Sequence, residues 1–155
     1  MGRAPCAHLL LSSLVRYLIR FHYLLGDAMN LSEKITHRRA LVGVIGLGYV
    51  GLPLAIAFAE AGLNVIGVDT NHEKIAAINR GESYIQDVSS TQLLGSRSRL
   101  VATTDFDRLS DVDAAIICVP TPLDDAQCPD MSFVLKAVDE IASRLHEGML
   151  VVLES

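Results

Sequence analysis

Leu41-Val-Gly-Val-Ile-Gly46-Leu-Gly48-Tyr-Val-Gly51-Leu-Pro53-Leu-Ala-Ile-Ala-Phe58-Ala-Glu-Ala-Gly-Leu-Asn-Val65-Ile-Gly-Val68-Asp69 is the stretch whose reading decides the fold. It opens with a short apolar run, Leu41 to Ile45, of the kind that forms a buried strand. The run breaks into three glycines at GxGxxG spacing. After them Val50, Leu54, Phe58 and Ala61 recur at helical intervals, and a second apolar run, Val65 to Val68, stops at Asp69. The order is strand, tight turn, helix, strand, acid.

Each residue type in that order has a physical task. Gly46 permits the turn, Gly48 leaves room for a diphosphate to approach the main chain, and Gly51 lets the helix pack closely on the strand. A diphosphate set there meets the unpaired amides and the positive end of a helix dipole. Asp69 follows Gly51 by 18 positions, close to the ~20 expected of an acid that accepts hydrogen bonds from ribose hydroxyls. A carboxylate at that point repels a 2′-phosphate, so the pattern selects NAD over NADP. Pro53 falls in the first helical turn, where a missing N–H costs nothing. The competing reading, a glycine-rich turn that only packs helix on strand, explains the glycines but not the acid.

Working outward, Asn71 to Gly81 turns helical again, with Ile75, Ala76, Ile78 and Asn79 inside it and Lys74 one turn in, near the expected ribose. Ser89 and Gln92 have capping-box spacing and predict a short helix through Leu94. Leu100 to Thr103 reads as a strand, Asp105 to Leu109 as a helical turn, and Ala114 to Val119 as a fourth strand. That strand breaks at Pro120-Thr121-Pro122, a rigid turn at a strand's carboxyl end, where open α/β sheets bind ligands. Thr121 is therefore a candidate contact. Asp130 is placed as an N-cap, and Val134, Leu135, Val138, Ile141, Ala142 and Leu145 give the following helix a broad apolar face. Gly148 ends it, and Met149 to Leu153 is the fifth strand. Strands alternating with helices predict an α/β fold: a doubly wound parallel sheet of Rossmann type, cut off after about five strands.

Composition agrees. In 155 residues, half are hydrophobic and 20% are charged, which suits a sheet covered on both faces. The net charge of −5 divides into +4 over residues 1–40 and −9 over the rest, and an acidic body argues against a nucleic-acid partner. Cys6, Cys118 and Cys128 are an odd number without metal-ligand or CxxC spacing, which fits a reduced, cytoplasmic compartment. Cys118 reads as a small buried hydrophobe, and Cys128 as an unreactive thiol in a polar loop.

Residues 1–40 form a separate N-terminal extension. Leu9 to Leu25 is apolar, but Ser12, Arg16 and Arg20 fall four apart, making one polar stripe on an amphipathic helix rather than a transmembrane span or a secretory signal. A start at Met29, or a loosely attached leader, is the preferred reading over a membrane anchor.

Val44 to Ala55, Gly81-Glu-Ser-Tyr-Ile85, Cys118-Val-Pro-Thr-Pro122 and the terminal Val151-Val-Leu-Glu-Ser155 together resemble the NAD-binding half of the UDP-glucose/GDP-mannose dehydrogenases. The wording Ser83-Tyr84-Ile85 leans toward members acting on UDP-N-acetylglucosamine. The resemblance implies a family that oxidises the C6 alcohol of a UDP-sugar to a carboxylate, reducing two NAD through a thiol-linked intermediate. It also implies that Gly46, Leu47, Gly48, Tyr49, Val50 and Gly51 hold the diphosphate, that Asp69 and Lys74 meet the adenosine ribose, and that Val119, Pro120, Thr121 and Ser155 line the cofactor. The family's catalytic cysteine, lysine and asparagine lie in segments beyond Ser155, so no catalytic residue is assigned to this chain, and Cys118 and Cys128 are not promoted to that role. UDP-sugar binding is expected of a C-terminal half, and homo-oligomer formation of the full-length family member. Two alternatives stay open: a hydroxyacid dehydrogenase of the 3-hydroxyisobutyrate type, which would more usually carry Met where Val50 stands, and a nucleotide-binding module without chemistry of its own.

Overall fold

The computed structural model describes residues 29–123 and 127–154, and the expected helix over Leu9 to Leu25 lies outside them. From Leu31 onward the chain forms one compact unit. Its elements are α1 (Leu31–Thr36), β1 (Leu41–Ile45), α2 (Gly51–Glu60), β2 (Asn64–Val68), α3 (His72–Arg80), α4 (Ser90–Ser96), β3 (Leu100–Thr103), a 3₁₀ turn (Phe106–Asp111), β4 (Ala114–Ile117), α5 (Ser132–Ala142) and β5 (Leu150–Leu153). The strands are all parallel, in the order β3-β2-β1-β4-β5.

That order follows from where the apolar side chains must go. Strand residues alternate between faces, and the two faces build two cores. On one, Val42, Val44, Val65, Leu100, Ala102 and Ile116 pack under α2, α3 and α4. On the other, Ile45, Ile66, Val68, Ala115 and Ile117 pack with Leu109 and Val112 from the 3₁₀ turn and its end, and with Ala137 and Ile141 of α5. Gly43 belongs to this second face, where an added Cβ would stand 2.8 Å from Leu109 Cδ2. Each fully buried leucine of these cores contributes about 1.5–3 kcal/mol relative to exposure.

Helix ends are set by local chemistry. The Asn71 side chain accepts from the Glu73 and Lys74 amides, and Gly81 closes α3 in the left-handed conformation (φ 81°). Ser89 and Gln92 form the predicted reciprocal box at α4. Asp105 caps the 3₁₀ turn. Asp130 is not the N-cap of α5: that position is Met131, and Asp130 Oδ1 accepts the Ser132 N–H one residue early, at 2.9 Å. The fourth strand is shorter than its apolar run, ending at Ile117, because the Cys118 N–H makes a last bond to Ile45 O and Pro120 has none to offer.

At the opposite rim, Asp113 ties the residues before β1 to the sheet. Its Oδ1 meets Lys34 Nζ at 2.7 Å and its Oδ2 accepts the Leu41 N–H at 2.8 Å. The segment just before β1 is thus part of the body, and Ala40 is fully buried.

The apolar face of α2 is not the predicted one. Leu52, Ala55, Ile56 and Ala59 are buried, whereas Val50 is exposed and Leu54 and Phe58 are only partly covered. Val50, Pro53, Leu54 and Ala57 instead line an open groove with Ile116, Val152 and Glu154. The broad face of α5 is likewise half used. Val134 and Ile141 are buried, while Leu135 and Val138 on the helix and Met131 and Leu145 at its two ends are exposed, and the four apolar residues of β5 are exposed as well.

An exposed apolar helix stripe together with an apolar edge strand drives association. The chain is expected to self-associate in sedimentation velocity, and the double change Leu135→Glu, Val138→Lys to shift it toward monomer with a thermal midpoint unchanged within about 0.5 kcal/mol of stability. A monomeric unaltered chain would contradict this.

Candidate functional site

The strand order reverses between β1 and β4, so a crevice opens at their carboxyl ends. The β1 side of that crevice is the glycine turn. The Gly46 N–H donates to Val68 O at 2.8 Å, and Gly46 takes φ 89°. A Cβ there would lie 2.6 Å from the Cys118 carbonyl oxygen and 3.3 Å from Val119 Cα, so the turn after β1 and the segment after β4 touch. A Cβ on Gly51 would stand 1.8 Å from Gly46 O, whereas one on Gly48 would meet nothing within 4 Å. Gly46 and Gly51 are therefore required by the turn itself, and Gly48 faces open space.

The helix that follows is left open at its start. Among the described residues, no side chain caps α2, in contrast with α3 and α4. The N–H groups of Gly48, Tyr49 and Val50 meet no main-chain carbonyl among the described residues. These donors, with the aligned peptide dipoles behind them, suit an anion.

Asp69 stands at the end of β2, only 9% exposed. Its Oδ2 accepts the Leu47 N–H at 2.8 Å, and its Oδ1 accepts the Asn71 N–H at 2.9 Å. Lys74 Nζ lies 3.5 Å from Oδ2 and 5.9 Å from the centre of the Tyr84 ring. The Tyr84 hydroxyl donates to Leu47 O at 2.5 Å. Burial, and then the Asp69 carboxylate, push the Tyr84 hydroxyl above its ordinary value, so it stays protonated and a donor. Leu47 itself is fully buried, and Gly67 leaves the space its side chain fills.

Of the residues singled out in the sequence, Gly46, Leu47, Gly51, Asp69, Lys74 and Val119 meet around the turn. Tyr49 and Val50 border it, 78% and 53% exposed. Pro120 is exposed and Thr121 half-buried on the loop beyond β4. Ser155 lies outside the described residues. Tyr84 was quoted for its wording but given no task. It sits in an irregular loop without periodicity, and no spacing in the sequence points from it to the turn.

Cys118 is buried beneath the turn. Burial, and then the Glu154 carboxylate, push its thiol up to about 11. That is the environment of an inert structural cysteine, not a nucleophile. Among the described residues no His, Cys, Asp and Glu cluster could hold a metal, and no helix is long and apolar enough to cross a membrane.

Residues 40–155 match the model of the UDP-glucose/GDP-mannose dehydrogenase family, NAD binding domain. The chain is similar to a UDP-N-acetyl-D-mannosamine dehydrogenase of Salmonella typhi, with 42% identity over 118 residues that make up 74% of this chain and 27% of that protein. Among solved structures it is similar to the UDP-D-ManNAc dehydrogenase of Pyrococcus horikoshii (TM-score 0.70, 37% identity, 74% of this chain and 28% of that one). It is also similar to the GDP-mannose dehydrogenase of Pseudomonas aeruginosa (TM-score 0.66, 33% identity, 74% and 28%). The chain thus spans little more than a quarter of the length of the relatives it matches.

Gly51→Ala is expected to cost about 3 kcal/mol in denaturant unfolding, from overpacking. Gly48→Ala should melt like the unaltered chain yet bind NAD about tenfold more weakly in calorimetry; equal affinity would remove Gly48 from the site. Because the Cys118 thiol is raised on folding, its contribution to stability is intact below pH 9.0 and falls as pH climbs through about 11. Iodoacetamide at pH 8 should accordingly modify exposed Cys128 before Cys118, read by peptide mass spectrometry.

Proposed function

The chain belongs to the UDP-glucose/GDP-mannose dehydrogenase family, and from that premise we propose that it is the NAD-holding part of an enzyme that oxidises the C6 alcohol of a UDP-N-acetylated sugar to the uronate. The observation that carries the reading is the buried Asp69 carboxylate bonded to the Leu47 amide of the glycine turn at 2.8 Å. One anion is thereby fixed beside the open end of α2, where another anion is wanted.

Each carboxylate oxygen has two lone pairs and spends one on a main-chain N–H. The remaining pair on each is available to a ribose hydroxyl. Lys74 offsets part of the charge without removing it, so a 2′-phosphate is still repelled. The amides of Gly48, Tyr49 and Val50 would hold the diphosphate, and Val119, Pro120 and Thr121 would line the path from β4 toward the reacting end; Ser155 keeps only the cofactor contact that the family resemblance implies. Bound NAD supplies the hydride acceptor. What this chain adds is orientation: the glycine turn and the loop after β4 abut, so the two would hold the cofactor from one shared edge.

The sugar class is supported by the relatives named for UDP-N-acetyl-D-mannosamine and by the Ser83-Tyr84-Ile85 wording that leans toward UDP-N-acetylglucosamine. Both are N-acetylated hexoses carried on UDP. Two successive oxidations at C6, through a thiol-linked intermediate on a cysteine outside this chain, consume two NAD and one water and leave the carboxylate. A cytoplasmic homo-oligomer is the form proposed for the polypeptide that carries this domain.

Calorimetry of NAD and NADP tests the cofactor reading. NAD should bind and NADP should not, and Asp69→Asn should weaken NAD by ~1–3 kcal/mol through loss of a charged hydrogen bond. NADP binding equal to NAD would refute it. For the substrate, the longer polypeptide should reduce NAD with UDP-N-acetylhexosamines; reduction with a small hydroxyacid and none with UDP-sugars would favour a different dehydrogenase.

A further inference from the structure

Leu47 is gripped from both sides. Its N–H, in the peptide joining Gly46 to Leu47, donates to Asp69, and its carbonyl, in the peptide joining Leu47 to Gly48, accepts from Tyr84. The second grip matters more for a ligand. A peptide unit is planar, so fixing the Leu47 carbonyl also fixes the Gly48 N–H, which points the opposite way. That N–H is the first of the donors left open before α2. Gly48 itself does little to fix the Leu47–Gly48 unit, since it has no Cβ and a side chain at its position would meet nothing within 4 Å. Something must hold that plane, and the Tyr84 hydroxyl is the group bonded to it.

Tyr84 reaches the turn from a distant loop, 37 positions along the chain. Its ring also lies beneath the Lys74 ammonium, at a distance where a cation and an aromatic face attract, and Lys74 in turn lies beside Asp69. One side chain therefore touches both halves of the cofactor site: the diphosphate turn through its oxygen and the ribose end through its ring. The raised hydroxyl keeps its proton, so the donor persists across the neutral range.

We propose that Tyr84 is a positioning residue for the dinucleotide, a latch that holds the Leu47–Gly48 peptide so that the Gly48 N–H faces the diphosphate. The inference rests on the NAD reading above. It separates diphosphate recognition from adenosine recognition, because Tyr84→Phe removes the oxygen and keeps the ring under Lys74.

The test is to measure NAD and ADP by calorimetry and adenosine by saturation-transfer NMR on the unaltered chain and on Tyr84→Phe. Affinity for NAD and ADP should fall about fivefold, the loss of one hydrogen bond's orientation, while adenosine binding stays within about twofold. The thermal midpoint reports folding separately. NAD and ADP affinities that do not change, or a loss on adenosine as large as that on ADP, would overturn the latch. On the unaltered chain, ¹⁵N spectra supply a check that needs no variant: the Gly48 amide should shift on saturation with ADP, and an unmoved Gly48 amide overturns the proposal as well. Absence of NAD binding by the unaltered chain would instead bring down the cofactor reading, and the latch with it.

Discussion

The contact on which the rest depends joins a side chain to a main-chain amide: Asp69 Oδ2 to Leu47 N, 2.8 Å. It ties the end of β2 to the turn after β1. Both strands already run side by side in register from Leu41 with Asn64 to Ile45 with Val68. Without the carboxylate, only the Gly46–Val68 and Tyr84–Leu47 bonds would be left to fix the direction in which the turn leaves the sheet. With it, the positions of the glycines, the start of α2 and the line of the crevice all follow. The cost of burying an anion is met by two main-chain donors and a nearby ammonium.

The sheet makes this possible by topology rather than by any special residue. Placing β4 beside β1 on the side away from β2 brings the Cys118 carbonyl within reach of the glycine turn. Two loops far apart in sequence then share one edge. Close approach needs residues without side chains on one partner: Gly46 against the Cys118 carbonyl, and Gly51, where an added Cβ would stand 3.2 Å from the Cys118 Cβ. The burial that this packing brings keeps the Cys118 thiol protonated.

Much of this was legible in the chain itself. β1 and β3 begin and end where their apolar runs do, and the capping box signalled by Ser89 and Gln92 formed. Where the reading slipped, a physical reason is at hand. Gly51–Glu60 is apolar on nearly every side, so periodicity cannot choose its face; the sheet chose the small residues Ala55 and Ala59 with Leu52 and Ile56 between them. Asp130 has the chemistry of a cap, but its side chain closes a turn one position too soon. The outer stripe of α5 is apolar and exposed among the described residues, and a sequence pattern reports hydrophobicity, not what covers it. Tyr84 was hidden because its partner is a main-chain carbonyl 37 positions away, which no local spacing encodes. The family wording around it was legible, but its reason was not.

The bare start of α2 has one more consequence. α3 and α4 are complete once folded, because their own side chains satisfy the first amides. Among the described residues α2 has no such side chain at its start, and a negatively charged guest would complete it. Guest and helix then share one equilibrium: occupancy shores up the native state by mass action, in proportion to the logarithm of guest concentration over its dissociation constant. With dinucleotide as the guest, such a domain would resist proteases better at high coenzyme concentration than at low.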